Sequence, residues 1–324
     1  VPTLLREREP LRDRARGRWL SLLPQLGVDA RFLTGGKNGP CPMCAGKTRF
    51  RFDDKEGRGT WICNNCGAGD GPALAMRVLG IEFKELAERL DPLIAEAPIT
   101  APRPGRSAAD KREALNQLWR RASMVEPDDP VARYLRARVG LITVPTCLRY
   151  VDSLLYRDDP SSYHPAMIAM VAGPDGSAAT IHRTYLTQDG RKAAVEVPRR
   201  LMPGTVPDGA AIRLFPPAVT MGIAEGIETA LAAAALFGLP VWAAANATML
   251  AKWQPPEQTR EVVVFGDTDR KFGGQAAAYA LAHRLAIHDR TVRVELPREA
   301  GTDWNDVWLR QRTDTEARAL EATA

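Results

Sequence analysis

The chain has 324 residues, 45% of them apolar and 26% charged, enough for two or three packed domains. It contains no apolar run of the 18 or so residues that a membrane span needs, and its start, Val1-Pro-Thr-Leu-Leu-Arg-Glu, lacks the apolar core of a signal peptide. Five cysteines, four of them in two close pairs, do not make a secreted disulfide framework, so a cytoplasmic protein with no membrane partner is expected. The net charge of +5 is unevenly placed: residues 1–70 hold 13 Lys/Arg against 8 Asp/Glu, and residues 71–324 hold 31 of each. A basic excess confined to the first segment fits contact with a phosphate backbone.

In chain order, Leu and Arg dominate the first segment, and a helix is predicted from about Leu11 to Leu23, ending near Pro24 and Gly27. Cys41-Pro-Met-Cys44 and Cys63-Asn-Asn-Cys66 follow, 18 residues apart. Two tight turns of two thiolates each, joined by a span long enough for a returning hairpin, give the spacing of a four-cysteine zinc ribbon. A closed four-sulfur site is structural, because it leaves no position for a reacting water. The competing reading is a redox dithiol or four free thiols. Between the pairs, Arg49-Phe50-Arg51-Phe52 alternates basic and aromatic residues, and Gly59-Thr-Trp61-Ile62 forms the returning strand. Arg49, Arg51 and Trp61 are candidates for a surface that binds single-stranded nucleic acid. Alternation on a half-buried strand nevertheless turns one set inward, and the aromatics are the set expected there.

Gly71–Gly80 and Phe83–Leu90 read as two helices, completing a helix-plus-zinc-ribbon domain over residues 1–92. Four prolines within residues 91–108 mark a linker, placed at 93–110. A middle domain over 111–215 begins with helices at Lys111–Met124 and Pro130–Val139. It continues with a hairpin, Ala166–Val171 and Ala179–Leu186 around Gly173–Gly176, that presents His182, Arg183, Arg191 and Lys192.

The last third alternates strand and helix. Strands are predicted at Ala218–Ala224, Val241–Ala245, Val262–Phe265 and Val292–Leu296, and helices at Ile227–Phe237, Ala247–Lys252 and Gly274–Ile287. This rhythm implies a parallel sheet covered on both faces, with ligands at the carboxyl ends of its strands. Acids stand at that end three times: Glu225 after the first strand, Asp267 and Asp269 after the third, Asp303 and Asp306 after the fourth. Side chains two apart on an extended segment point the same way, so Asp267 and Asp269 would repel each other without a cation between them. Such oxygen ligands suit Mg²⁺ or Mn²⁺. Glu228, on the first turn of the following helix, reads as a cap or a solvated residue. The catalytic domain is set at 216–312 and a tail at 313–324.

Taken together, Glu225-Gly226 after a strand, Asp267-x-Asp269 after a later one and the acidic Gly301-Thr-Asp-Trp-Asn-Asp306 resemble the Toprim domain. That domain is shared by bacterial-type primases, type IA and type II topoisomerases and some nucleases. The zinc motif, with Pro42, Arg49-Phe50-Arg51, Gly59-Thr-Trp61 and Cys66-Gly-Ala-Gly-Asp-Gly71, resembles the zinc ribbon of alpha-type primases from satellite phages and plasmids. The hairpin with His182-Arg-Thr-Tyr185, Asp189-Gly190 and Lys192-Ala193 is similar to the segment before Toprim in phage and mobile-element primases.

The resemblance implies an α/β plus α+β chain: an N-terminal zinc ribbon, a mixed middle segment and a C-terminal Toprim domain with a Rossmann-like parallel sheet. It implies a DNA primase that joins NTPs into a short RNA primer on a single-stranded DNA template. Structural Zn²⁺ would sit on Cys41, Cys44, Cys63 and Cys66. Catalytic Mg²⁺ or Mn²⁺ would sit on Asp267 and Asp269, with Asp303 and Glu225 nearby. Glu225 would act as general base or hold a second metal, and Arg183 and Lys192 would contact triphosphate or template. A replicative helicase, where one is needed, would act in trans or would have been cut away. One departure is the loop Gly266-Asp-Thr-Asp-Arg-Lys-Phe-Gly-Gly274, longer before its glycines than the shorter Asp-x-Asp-x-x-Gly form. The rival readings are a Toprim metal-dependent nuclease, which uses the same acids, and a non-catalytic zinc-ribbon factor that binds single-stranded DNA. A topoisomerase would need a tyrosine nucleophile in a further domain, a context none of the six tyrosines has.

Overall fold

A computed structural model describes residues 9–35, 38–63, 65–100, 107–141, 143–157 and 160–323, the side chains from 316 onward excepted. The chain divides into two units, Val1–Arg106 and Ser107–Ala324. Of the predicted linker, residues 101–106 lie outside the described residues.

In the first unit the helix predicted over Leu11–Leu23 is two helices, α1 (Leu11–Arg14) and α2 (Trp19–Gln25). Gly17 separates them at φ +76°, where its N–H turns aside to donate to the Gly57 carbonyl at 2.7 Å. The antiparallel strands β1 (Phe50–Phe52), β2 (Trp61–Cys63) and β3 (Gly67–Gly69) form the ribbon, with Phe52 opposite Trp61 and Phe50 opposite Cys63. Helix α3 (Gly71–Leu79) starts where the Asp70 carboxylate accepts the Ala73 N–H at 3.2 Å, and ends at Gly80 with φ +67°. Helix α4 (Phe83–Glu96) runs through Pro92, past the predicted start of the linker. Leu86, Leu90 and Ile94 bury one stripe of α4, and that burial outweighs the backbone bond lost at Pro92.

The second unit begins with α5 (Ala108–Arg121), whose Ser107 and Asp110 cap each other's backbone at 3.0 Å. It continues with β4 (Ser123–Met124), α6 (Pro130–Val139), β5 (Leu148–Tyr156), β6 (Ser162–Ala172), β7 (Ala178–Tyr185), β8 (Arg199–Leu201) and β9 (Ala211–Ile212). The alternating part is β10 (Thr220–Ala224), α7 (Ile227–Phe237), β11 (Val241–Ala243), α8 (Ala247–Lys252), β12 (Glu261–Phe265), α9 (Gly273–Ala286), β13 (Thr291–Glu295) and α10 (Trp304–Thr323). Residues 313–323, read as a tail, continue α10.

Among the described residues these ten strands make one sheet, β13-β12-β10-β11-β9-β6-β5-β4, with β7 on the other edge of β6 and β8 beyond it. β10, β11, β12 and β13 are parallel. The two-residue β9 joins them antiparallel to the end of β6, so the middle and alternating segments share one sheet. Met221, Ile223, Val262 and Val264 pack against α8 and α9 on one face. Ala224, Val263 and Phe265 pack against α6, α7 and Trp304 on the other. Burial on both faces is why Val262–Phe265 of β12 reads as an unbroken apolar run. Among the described residues no helix is long and apolar enough to cross a membrane.

Candidate functional site

In the first unit the four sulfurs of Cys41, Cys44, Cys63 and Cys66 lie within 4.8 Å of one another. The Cys41–Cys66 and Cys44–Cys63 pairs are 3.9 and 3.8 Å apart. A tetrahedral ion with Zn–S bonds of about 2.3 Å requires sulfurs roughly 3.8 Å apart, so these residues fit zinc. Burial, then the three neighbouring thiols, push Cys66 up to about 12. Four sulfurs this close coexist as thiolates only around a cation.

The ribbon's aromatics face inward. Trp61 is 2% exposed, stacks on Phe50 at 5.9 Å and donates its indole N–H to the Asp70 carbonyl at 3.0 Å. It packs the core and offers no face to a base, which corrects its assignment to a nucleic-acid surface. Arg49 is exposed. Arg51 is half-buried and pairs with Asp53 at 3.4 Å. These two keep the outward position.

In the second unit the carboxyl ends of β10, β12 and β13 gather the acids. Glu225 directly follows β10 and Asp267 lies just beyond β12. A bridge between Thr268 and Thr302 ties the β12 loop to the loop carrying Asp303, with the Thr268 N–H donating to the Thr302 carbonyl at 3.1 Å. Asp303 caps α10: its Oδ1 accepts the Asp306 N–H at 2.9 Å, and its own N–H donates to Asp306 Oδ2 at 3.1 Å.

Asp267 and Asp269 do not match the side-by-side expectation. Asp269 is turned onto α9, accepting from Lys271 N at 2.9 Å, Gly273 N at 3.1 Å and Gly274 N at 2.8 Å. These amides, Gly274 first, hold its carboxyl below the usual range. Gly274 is required: a Cβ there would stand 2.8 Å from the Asp267 carbonyl oxygen. Asp267 has no such partners, and its Oδ1 is buried without a hydrogen bond. Burial, then the Glu225 and Asp303 charges, raise Asp267 to about 7. Burial also raises Glu225 above its ordinary value, against the pull of Arg199. An orphaned carboxylate oxygen among acids that raise one another fits a divalent cation. Among the described residues, only the four cysteines bring three or more ligand atoms to mutual metal-binding distance.

Beside Glu225 opens a cleft of about 310 Å³, lined by Lys192, Val197, Arg199, Glu225, Gly226 and Ala245 among others. Glu228 lies beneath its two cations. Read as a cap or a solvated residue, it is instead 4% exposed. It accepts from the Tyr134 hydroxyl and pairs with Lys192 Nζ at 3.4 Å and Arg199 Nη1 at 3.9 Å. Burial alone would raise it, but Lys192 and Arg199 bring it to about 2. The sequence did hold a signal: α7 is otherwise almost wholly Ala, Leu and Ile, and a helix apolar all round is buried. Arg199 had no comparable signal.

The hairpin distributes its polar residues over both faces. Lys192 reaches the cleft. Arg183 turns away from it, donating to the Leu201 carbonyl at 3.0 Å and to the Tyr185 hydroxyl at 3.1 Å. Successive strand residues face opposite ways, so His182 takes the other side; it is 5% exposed, and burial lowers it to about 4.

Family comparisons agree with this geometry. Residues 220–314 match the Toprim domain, and residues 36–72 match the zinc-binding domain of primase-helicase. Residues 109–214 match a domain of unknown function, DUF7146. The chain is also similar to the primase fragment of the bacteriophage T7 primase-helicase protein, at 13% identity over 87% of this chain and 98% of that one, TM-score 0.38. It is similar to the Aquifex aeolicus primase (zinc-binding and RNA polymerase domains) at 15% identity over 94% and 85%, TM-score 0.40. The acidic sheet end is thus that of a Toprim domain. The chain thus carries a zinc-binding domain of the primase-helicase type, followed later in the sequence by a Toprim domain.

Proposed function

We propose that this protein is a DNA primase, joining ribonucleoside triphosphates into short RNA primers on single-stranded DNA during phage, plasmid or mobile-element replication. The observation that carries the reading is Asp267: a buried, unpartnered oxygen among acids at the end of a Toprim sheet, in a chain with a primase-helicase zinc-binding domain. Asp267 would hold Mg²⁺ or Mn²⁺, with the uncommitted lone pairs of Asp269, Asp303 and Glu225 around it. A cation there supplies neutralisation of the charge that develops on the triphosphate.

The remaining work falls to side chains. Glu225, held above the usual carboxylate range at the cleft, suits acceptance of the 3′-hydroxyl proton. Lys192 and Arg199 bind triphosphate oxygens in the cleft, with Glu228 fixing both from behind. A Cβ built at Gly226 would meet Arg199 Nη1 and Thr229 Oγ1, both at 3.5 Å, in ordinary contact. A glycine there serves a ligand that approaches from the cleft. Arg49 and Arg51 contact template phosphates, the zinc is structural, and a replicative helicase is the partner that such a primer would serve.

The test is synthesis of labelled RNA on single-stranded circular DNA with Mg²⁺ or Mn²⁺, wild type against Asp267→Asn. Short RNA from wild type alone supports the reading. Metal-dependent loss of the DNA without RNA assigns the acids to a nuclease. Neither activity, with tight single-strand binding, leaves a binding factor.

A further inference from the structure

The loop between Asp269 and α9 carries a feature that metal binding does not use. Phe272 is 70% exposed, in a chain that buries most of its aromatic rings. It stands at φ +60°, immediately before α9. An aromatic gains no packing energy there, and Gly or Asn would adopt the conformation at less cost. Arg270 and Lys271, both exposed, precede it, and neither side chain has an ion-pair partner among the described residues.

The three residues are held in place. Asp269 Oδ1 accepts from Lys271 N at 2.9 Å, and Phe272 N donates to the Asp269 carbonyl at 3.1 Å. The run is therefore pinned to one of the acids of the site. The same face of α9 continues with exposed Ala276 and Tyr279, the latter 57% exposed, and α9 has no carboxylate of its own. Two exposed cations without an ion pair among the described residues, next to an exposed ring, are the elements of single-strand recognition: cations take phosphates, and a ring stacks on a base of any sequence.

We infer that Arg270, Lys271 and Phe272 form a single-stranded nucleic-acid contact at the rim of the acidic centre, Phe272 stacking on one base and the two cations taking neighbouring phosphates. The contact rests on the primase reading for its biological strand, template or primer, but not for its chemistry. A protein partner would be drawn to the aromatic stripe without needing the cations, and the charge favours the nucleic acid.

The experiment is fluorescence anisotropy with the full zinc-loaded chain. The probes are a 16-nucleotide oligothymidine and a 16-mer of the same backbone carrying abasic sites throughout. Phe272→Leu keeps the backbone cost at φ +60° and removes only the ring, and Phe272→Trp restores a ring. Loss of one stacked base should weaken oligothymidine binding by roughly five- to thirty-fold in Phe272→Leu, leave the abasic probe unchanged, and be recovered in Phe272→Trp. Arg270→Ala with Lys271→Ala should weaken both probes and flatten the salt dependence by about one to two phosphate contacts. Equal affinity of wild type and Phe272→Leu for oligothymidine overturns the inference, as does an equal loss on both probes. RNA synthesis does not enter this measurement. An inactive chain with the expected binding pattern sinks only the primase reading, and an active one without the pattern sinks only this contact.

Discussion

Replacing Glu228 by Gln tests whether the buried carboxylate organises the cleft. The side chain is 4% exposed, and Lys192 and Arg199 hold it at about 2 instead of the ordinary 4.5. Each pH unit of such a difference is worth about 1.4 kcal/mol, so the ionised form contributes about 3 kcal/mol at neutral pH. Lys192 and Arg199 are 32% and 50% exposed and regain some water when the carboxylate is lost. That lowers the expected cost to roughly 1–3 kcal/mol, below the 3–5 typical of a fully buried pair. In the Ser107–Ala324 unit this is a fall in melting midpoint of roughly 2–12 °C at pH 7. The folded group is depressed, so its contribution is present above pH 4.5 and is lost as pH falls toward 2. The gap between wild type and Glu228→Gln should therefore close in acid. The assay is thermal and urea unfolding of the zinc-loaded chain from pH 7 down to pH 2, across the window in which the contribution is lost. A midpoint within one degree of wild type at pH 7, or a gap that does not change with pH, would refute the reasoning.

Asp267→Asn should reduce RNA synthesis by at least a hundredfold, since it removes the oxygen proposed to hold the metal. The same variant should be at least as stable as wild type above pH 7 without added metal. The folded-state value of Asp267 is raised to about 7, so its neutral-form stability is full below the ordinary 3.8 and is lost as pH rises through 7; unfolding curves at pH 8 decide it. Added Mn²⁺ should protect wild type but not Asp267→Asn against heat at pH 8. Stripping zinc with a chelator, or changing Cys44 to Ser, should unfold the first unit and leave the second folded, visible as loss of Trp61 burial in fluorescence and hydrogen exchange. His182→Asn should remove the part of the acid sensitivity between pH 6.5 and 4, because a buried neutral His resists a proton that the unfolded chain accepts.

The alternating third was readable because each of its elements obeys one rule. Val262–Phe265 is buried on both faces and contains only apolar residues, and Ile227–Phe237 is bounded by Gly226 and by Gly238 at φ +66°. The cysteine spacing was readable because a metal fixes geometry more tightly than packing does. Tertiary choices were hidden. Nothing local shows that Gly17 leaves its helix to reach Gly57, or that α4 survives Pro92 by burying Leu90 and Ile94 on either side of it. The short β8 and β9 exist only because β7 and β6 offer them edges. Trp61 was misassigned because an alternating strand next to basic residues looks the same whether its rings face a base or a core.

The two carboxylates of Asp267-x-Asp269 show most clearly what spacing alone conceals. An extended segment would present both to one cation as equals. Here the chain turns after Thr268, and Asp269 becomes an anchor for three amides at the start of α9, which stabilises its charge without any metal. Asp267 receives nothing, and its buried oxygen is left bare at about 7. The division has a chemical consequence. A site in which both acids were satisfied would bind a cation weakly, and one in which both were bare would be costly to fold near neutral pH. Satisfying one acid fixes the loop, which in turn holds Arg270, Lys271 and Phe272 at the rim. Leaving the other bare leaves its desolvation cost to be relieved by the cation proposed for the site. The extra residues before Gly273 are thus the length required to fold Asp269 back onto the helix that follows it.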